Sequence, residues 1–493
     1  MMGRYDRNKM EIKIDGDLDF KAKISEFFIQ TLSLLFFPND NTFGKNKSGN
    51  FICIKSEKNI KSIEIFVRIC YNVKAAEKKR VISGNDMKLE AGRAFYDAAS
   101  EITGVRPPWG IFTGIRPAKL AGNIAGKNEN GSDERMALDI LTNKYLMSEA
   151  KAKLALETYR NGKNAVPNIG KKDFSLYISV PFCPTRCGYC SFVSYSTPKL
   201  LKLIPEYIKN LVRELEYIGV LTRKLQLKSV YIGGGTPAVL SAGELEVILQ
   251  SVRSNFDLAN ILEYTVECGR ADVITREKLE LLKSSGVDRI SINPQSLNDD
   301  ILLKNGRNHT AEDFYGAYEL ARNTFGTACV NADCIVGLPG ETGEGMIDTI
   351  ERLARLRPDN ITMHTLCIKK SADLKKRAEY TPDSPELNRV LDESYNILKS
   401  AGYKPYYMYR QKYAAGNLEN TGFCLDGRAC LYNIYMMDEI QTIFGAGAGA
   451  VTKLVRGDRI ERIANYKYPF EYIAHDFQIE RESNKNKLEI LED

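Results

Sequence analysis

The sequence predicts an α/β protein built on a parallel sheet, and three observations carry that expectation. Between Leu176 and Leu366, six short apolar runs, "LYISVP", "KSVYIG", "EYTVEC", "DRISIN", "CVNADCIVG" and "NITMHTL", alternate with segments long enough for a helix. Six β/α units in a row give a parallel sheet with right-handed crossovers, as an open sheet or a partial barrel. The unusual residues fall where such folds gather their chemistry, at the carboxyl ends of the strands. Three cysteines follow the first run, "GGGTP" (Gly233 to Pro237) ends the second, Glu267 ends the third, Gln295 follows the fourth and Asp333 sits within the fifth. Finally, 493 residues are too many for one core, because domains are mostly about 100 to 200 residues long. Two or three domains are expected.

Taken in order, residues 1–165 read as a mixed α/β region of unknown role. "FFIQTLSLLFF" (Phe27 to Phe37) is broken by Gln30, Thr31 and Ser33 and reads as core. "FICIKSEKNIKSIEIFVRICYNV" gives two strands around a charged turn, while "KLEAGRAFYDAASEI" and "SEAKAKLALETYRNGK" have helical periodicity. Between these helices, "GVRPPWGIFTGIRPAKL" repeats an Arg-Pro pair (Arg106-Pro107 and Arg116-Pro117) and holds the only tryptophan, Trp109. It is either a rigid loop with an aromatic plug or a basic contact surface. The Gly-, Asn- and Lys-rich stretch Asn161 to Asp173 reads as a linker.

Residues 173–370 form the expected parallel core, and 371–493 a smaller C-terminal α+β region. This last part opens with a helix, "PELNRVLDESYNILKSAGY", and continues through the aromatic "KPYYMYRQKYAAGNLENTGF". In "IQTIFGAGAGAVTKL" the alternating small residues suit a close backbone approach. The lysine-rich "ESNKNKLEILED" reads as solvated.

Composition narrows the function classes. Hydrophobic residues at 43% and charged residues at 27% are ordinary for a soluble globular chain. No apolar run approaches the roughly 20 residues a spanning helix needs, so no membrane role is expected. The net charge of +6 is mild and unaccompanied by a dense basic block with interleaved aromatics, which argues against a nucleic-acid partner. The N-terminus lacks a secretory pattern. A cytoplasmic setting follows as the expectation, with the eleven cysteines reduced.

In that setting "PFCPTRCGYCSF" is a metal-site candidate, with Cys183, Cys187 and Cys190 spaced C-x-x-x-C-x-x-C. Three thiolates on one loop can hold three irons of a 4Fe-4S cluster, one per iron, and leave the fourth iron open. An open iron can chelate the amino and carboxylate groups of S-adenosylmethionine. The alternative is zinc, which wants four ligands. His309, His364 and His475 are the only histidines and all lie more than a hundred residues away, so a zinc site would need Cys268 or Cys367 brought close by the fold.

"LYISVPFCPTRCGYCSF" resembles the cluster loop of radical S-adenosylmethionine enzymes. "YIGGGTP", "TVECGR", "RISINPQSL", "NGRNHT" and "NADCIVGLPGET" resemble successive motifs of their oxygen-independent coproporphyrinogen III dehydrogenase group. "GIRPAKL", "YYMYRQKYAAGNLEN" and "IFGAGAGAVTK" are similar to its HemZ branch. The resemblance implies a radical SAM partial (β/α)6 barrel, with a 4Fe-4S cluster on Cys183, Cys187 and Cys190. It implies S-adenosylmethionine contacts at Tyr177, Gly234, Gly235, Thr236, Glu267, Gln295, Arg307, Asp333, Cys367 and Val451.

The implied activity is that of an oxidoreductase of haem biosynthesis. It would decarboxylate two propionates of coproporphyrinogen III oxidatively to vinyls, giving protoporphyrinogen IX, with reduced flavodoxin or ferredoxin as electron donor. A flat tetracarboxylate wants aromatic walls and cationic rims, which Tyr406, Tyr407, Tyr409, Arg410 and Lys412 offer. Two positions depart from the best-known dehydrogenases: Ser179 stands where they carry histidine, and Phe192 where they carry a further cysteine. Because haem-binding chaperones on the same scaffold share the Phe192 pattern, a haem carrier is the alternative. Radical chemistry on another tetrapyrrole, such as haem methylation with ring opening, is a third reading.

Overall fold

The computed structural model describes residues 10–37, 49–59, 62–82, 86–126, 133–190, 195–368, 384–412, 414–457 and 459–477. Phe192 and the lysine-rich segment 482–493 lie outside these residues. The chain divides into two compact units, Met1–Glu157 and Thr158–Asp493.

In the first unit, strands β1 (Glu11–Asp15), β2 (Phe51–Lys58), β3 (Ile63–Tyr71) and β4 (Lys74–Ile82) form a sheet in that order. β1 runs parallel to β2, and the other pairings are antiparallel. Alternation sets its buried face: Ile52 and Ile54 of β2 and Ile65, Val67 and Ile69 of β3 are sealed from solvent. They share a core with Phe28, Ile29 and Leu32 of helix Glu26–Phe36 and with Phe95 of helix Met87–Thr103. The run expected to be core is therefore a one-sided helix, and Phe27, on its other face, is 63% exposed. In the Arg-Pro loop Trp109 is buried at 1% exposure, as the aromatic-plug reading requires, while Arg106 is exposed.

The second unit carries a sheet of eleven strands among the described residues. Six parallel strands form its centre: β5 (Asp173–Val180), β6 (Gln226–Gly234), β7 (Glu263–Gly269), β8 (Arg289–Ile292), β9 (Cys329–Val336) and β10 (Asn360–Thr365). Each pairs with its neighbour in sequence, so the chain winds steadily in one direction, as in a partial barrel. All six predicted strands are present. The intervening helices show ordinary stop and start chemistry, including the capping box of Ser241 and Glu244 ahead of helix Ala242–Asn255.

The C-terminal region does not form a separate sheet. Strands β11 (Lys404–Arg410) and β12 (Glu419–Cys424) extend the edge at β10, with β12 antiparallel to it. Strands β13 (Thr442–Ala446), β14 (Val451–Arg456) and β15 (Arg459–Ala464) extend the other edge, with β13 parallel to β5. The stretch read as a linker begins inside helix Glu149–Ala165: Asn161, Gly162 and Asn164 are weak helix formers, but tertiary contact overrides propensity there, with Asn161 Nδ2 donating to Pro405 O at 2.9 Å.

The small residues after β13 have a visible cause. A Cβ on Gly447, whose φ is 91°, would lie 2.5 Å from the Tyr207 hydroxyl and 2.6 Å from the Ser179 carbonyl. The turn is pinned there: Tyr207 donates to Ser179 O at 2.7 Å and accepts from Ala448 N at 2.9 Å, while Ser179 Oγ donates to Ala448 O at 2.8 Å. The buried carboxylate of Glu214 accepts from Gly447 N at 2.7 Å, Tyr472 at 2.7 Å and Asn465 at 2.9 Å. Ser179 is thus a tie between β5 and this turn.

Candidate functional site

At the carboxyl ends of the parallel strands lies a cavity of about 730 Å³. Cys183, Cys187 and Cys190 line it together with Tyr177, Gly234, Gly235, Thr236, Glu267, Gln295, Arg307, Asp333, Cys367 and Val451. The fold therefore brings all thirteen candidate residues to one space.

The cysteine loop leaves β5 and is held by its neighbours' backbone. Cys183 N bonds Tyr195 O at 3.0 Å, Cys190 N closes a turn onto Cys187 O at 3.0 Å, and Gly188 N reaches Asn305 O at 3.0 Å. The glycine turn after β6 packs directly beneath, with Gly235 N on Val180 O (2.9 Å) and Thr236 N on Phe182 O (2.7 Å). A Cβ on Gly235 would sit 2.5 Å from Phe182 O and 3.0 Å from Cys183 Sγ, so only glycine permits this approach. Thr236 Oγ1 donates to Cys183 Sγ at 3.4 Å.

Two arginines brace the loop from the far side. Arg307 is 5% exposed and donates to the Tyr189 hydroxyl at 3.0 Å and to Asn293 O at 2.6 Å. Arg270, 3% exposed, forks onto Asp272 at 2.9 and 2.7 Å and reaches Thr185 Oγ1 at 2.5 Å. Burial and these two guanidiniums push His309 down to about 4, which keeps its ring neutral at pH 7.

Stacked tyrosines also line the cavity. The rings of Tyr231 and Tyr432 lie 4.3 Å apart at 23°, and Tyr177 stacks on both at 6.2 and 6.0 Å. Tyr231 donates its hydroxyl to Glu267. Burial pushes the Glu267 carboxyl up to about 7; the Tyr231 hydrogen bond opposes this and the Asp333 charge adds to it. His364 Nε2 is 3.7 Å from Asp333, and its Nδ1 is 3.4 Å from the Tyr409 hydroxyl.

Gln295 holds a φ of 68°, because its amide bonds Asp333 O at 3.0 Å and its carbonyl accepts from Ile335 N at 2.9 Å. A non-glycine residue held this way is a strained position of the kind found at binding sites. Its Oε1 and the Nε of Arg307 are buried without hydrogen-bond partners. Cys367 Sγ reaches Lys412 O at 3.3 Å.

Tyr231, Arg270, His364 and Tyr432 were not among the candidates. Tyr231 stands two residues before the first glycine of "GGGTP", so strand alternation could have found it, and Arg270 directly follows the carboxyl end of β7 in "TVECGR". Of the aromatic stretch, Tyr407 and Tyr409 line the cavity. Tyr406 faces the opposite side, against Cys430 and Ile434, and Arg410 turns away to donate to Asn417 O at 2.9 Å. Lys412 is not part of the lining.

The donors fit an iron-sulfur cluster better than a single ion. No cysteine among the described residues is in a disulfide. No group of three or more His, Cys, Asp or Glu among the described residues is disposed to hold one metal ion, which a zinc site requires. Cys268 is core, at 1% exposure, with its thiol pushed up to about 12 by burial. Thiolates that each take a different iron need not converge on a point. The glycine approach and the unpartnered polar atoms of Gln295 and Arg307 leave room and hydrogen-bonding capacity for a small polar cofactor beside them. No helix among the described residues is long and apolar enough to cross a membrane.

A site of this kind on this fold defines the radical S-adenosylmethionine class, and the Radical SAM superfamily matches residues 177–353. The oxygen-independent coproporphyrinogen-III oxidase-like protein HemZ of Bacillus subtilis is 38% identical over 379 residues, covering 75% of this chain and 75% of its own length. This chain belongs to that family. The family uses a 4Fe-4S cluster and S-adenosylmethionine. The heme chaperone HemW of Escherichia coli is 28% identical over 298 residues, covering 60% of this chain and 74% of that protein. The solved structure of Escherichia coli coproporphyrinogen III oxidase (HemN) shares the fold with a TM-score of 0.51 at 22% identity, over 63% of this chain and 71% of that one.

Proposed function

We propose that this protein removes two propionate carboxyls of coproporphyrinogen III oxidatively, leaving vinyl groups. The observation that carries the reading is one cavity in which the cysteine loop and the strand-end polar groups adjoin the Tyr177, Tyr231 and Tyr432 stack. A flat macrocycle finds an aromatic wall there, beside the groups that would hold the cofactors.

In this reading Cys183, Cys187 and Cys190 ligate the cluster. Tyr177, Gly234, Gly235, Thr236, Glu267, Gln295, Arg307, Asp333, Cys367 and Val451 surround S-adenosylmethionine. When bound, the pair supplies a 5′-deoxyadenosyl radical able to take a hydrogen atom. Glu267 would face the ammonium of the methionyl part, where a nearby cation would favour ionisation of a carboxyl that burial raises to about 7. Arg307, held by Tyr189 and Asn293, would offer its unpartnered Nε–H to an acceptor on the cofactor. The tyrosine wall excludes water and orients the substrate.

A haem chaperone is the second reading. HemW relatives and the Phe192 pattern favour it. The test is anaerobic: reconstituted protein, reductant, S-adenosylmethionine and coproporphyrinogen III, with products separated by chromatography. Protoporphyrinogen IX is the expected product. Deoxyadenosine without decarboxylation would move the substrate to another tetrapyrrole, and tight haem binding without turnover would establish the carrier.

A further inference from the structure

The cavity edge built by β14, β15 and helix Leu431–Asp438 carries two cations that the cofactor reading leaves unused. Lys453 and Arg462 are direct partners across the β14–β15 ladder, and both line the cavity. Like charges directly opposite each other on a strand pair are destabilising, so the arrangement needs a reason other than sheet stability. One carboxylate lies between them: Glu439, 7% exposed, accepts from Arg462 Nη2 and stands 3.6 Å from Lys453 Nζ. Glu439 holds this place from a φ of 53°, at the left-handed end of its helix. Lys453 also donates to Met436 O at 3.0 Å, with Met436 Sδ at 3.1 Å.

Glu439 thus meets both cations at the cavity edge. The surroundings are apolar: Tyr432, Met436 and Met437 line the cavity beside the cations. The Lys453 side chain is only 9% exposed and that of Arg462 is 50% exposed, so one cation is set into the wall and the other stands at the opening. Two cations lining a cavity beside an aromatic and thioether wall match an anionic group attached to a flat apolar body.

We propose that Lys453 and Arg462 anchor a carboxylate of the tetrapyrrole, with Glu439 fixing both cations in place, and that this anchor selects free carboxylates over neutral esters. The proposal rests on the tetrapyrrole reading above. It assigns the pair to substrate, not to S-adenosylmethionine, whose candidate residues lie at the strand ends and the glycine turns.

The test uses full-length, anaerobically reconstituted protein and two stable probes, coproporphyrin III and its tetramethyl ester, titrated by porphyrin fluorescence. Iron content and S-adenosylmethionine affinity are measured in parallel. Wild type is expected to prefer the tetraacid. R462A and K453M are each expected to weaken tetraacid binding about tenfold, as loss of a charged hydrogen bond does. Ester binding, iron and S-adenosylmethionine affinity should stay unchanged.

Equal weakening for acid and ester would reduce the pair to packing and overturn the proposal. So would loss of S-adenosylmethionine affinity with porphyrin binding intact. A wild type that binds acid and ester alike defeats the anchor while the tetrapyrrole reading stands. A wild type that binds neither defeats both.

Discussion

Strand β7 carries a glutamate near each end, and their surroundings treat them oppositely. Glu263, at the amino end, is 3% exposed and fully met: it accepts from Arg289 Nε at 3.2 Å, Leu431 N at 2.9 Å, Tyr432 N at 3.1 Å and Cys430 Sγ at 3.2 Å. It thereby caps helix Leu431–Asp438, where orphan amides and the helix dipole favour an anion. Arg289 spends its other donors on Asn331 Oδ1 and on the Arg428 and Ala429 carbonyls. Four residues along, Glu267 has the Tyr231 hydroxyl and a raised carboxyl at the wall of a cavity. A completed network is architecture. An uncompleted one, in a cleft and with a shifted carboxyl, marks a place prepared for something else.

The contrast can be broken at either end. The largest effect belongs to the cavity side: C187A is expected to lower iron and sulfide after anaerobic reconstitution to background and to abolish S-adenosylmethionine cleavage. Unchanged iron would remove the cluster assignment. At the amino end, E263A leaves Arg289 buried without its partner and should cost about 3–5 kcal/mol, read by chemical denaturation, while the folded fraction still takes up iron. An unchanged denaturation midpoint would mean the network is ornamental.

A smaller effect is expected from G447A. The Cβ contacts at 2.5 and 2.6 Å and the φ of 91° force the pinned turn to move. The expected loss is about 1–3 kcal/mol, with weaker S-adenosylmethionine binding measured by equilibrium dialysis, since Gly449 and Val451 of that turn line the cavity. Native binding in a destabilised G447A would confine the turn to a structural role.

The smallest effect on stability is E267Q, and it has a sign. Glu267 binds its proton up to about pH 7 when folded against an ordinary value of 4.5. Between those values the folded state holds more protons than the unfolded chain, so stability falls as pH rises through the window. Glutamine should flatten that fall while weakening S-adenosylmethionine binding. The same slope in wild type and variant would mean that Glu267 is not the group titrating.

The sequence made one half of this comparison readable and hid the other. Cys183, Cys187, Cys190 and the "GGGTP" turn declare themselves by spacing, and β/α alternation placed all six parallel strands. Glu267, Gln295 and Asp333 could be placed because a strand's carboxyl end follows from the strand. His364, at the carboxyl end of β10, was as readable as these and was passed over, whereas Tyr432 reaches the cavity from a C-terminal helix whose docking depends on the whole sheet. Arg410 was misread because a strand alternates: once Tyr407 and Tyr409 face the cavity, Arg410 faces away. The Glu263–Arg289 network was missed for a similar reason, as half of its partners are backbone groups from residues 428–432.

The pairing of β13 with β5 has a consequence for how the chain is made. Phe174 to Ile178 find their outer neighbours in Thr442 to Ala446, more than 250 residues later. During synthesis the ladder groups on that side of β5 have no partner until nearly the whole second unit has left the ribosome. An unpaired apolar edge of this kind invites pairing with other chains, and closing so long a loop is slow. The small residues that let the turn after β13 lock onto Ser179 and Tyr207 thus also time the molecule: the last strands to emerge close the first strand of the barrel.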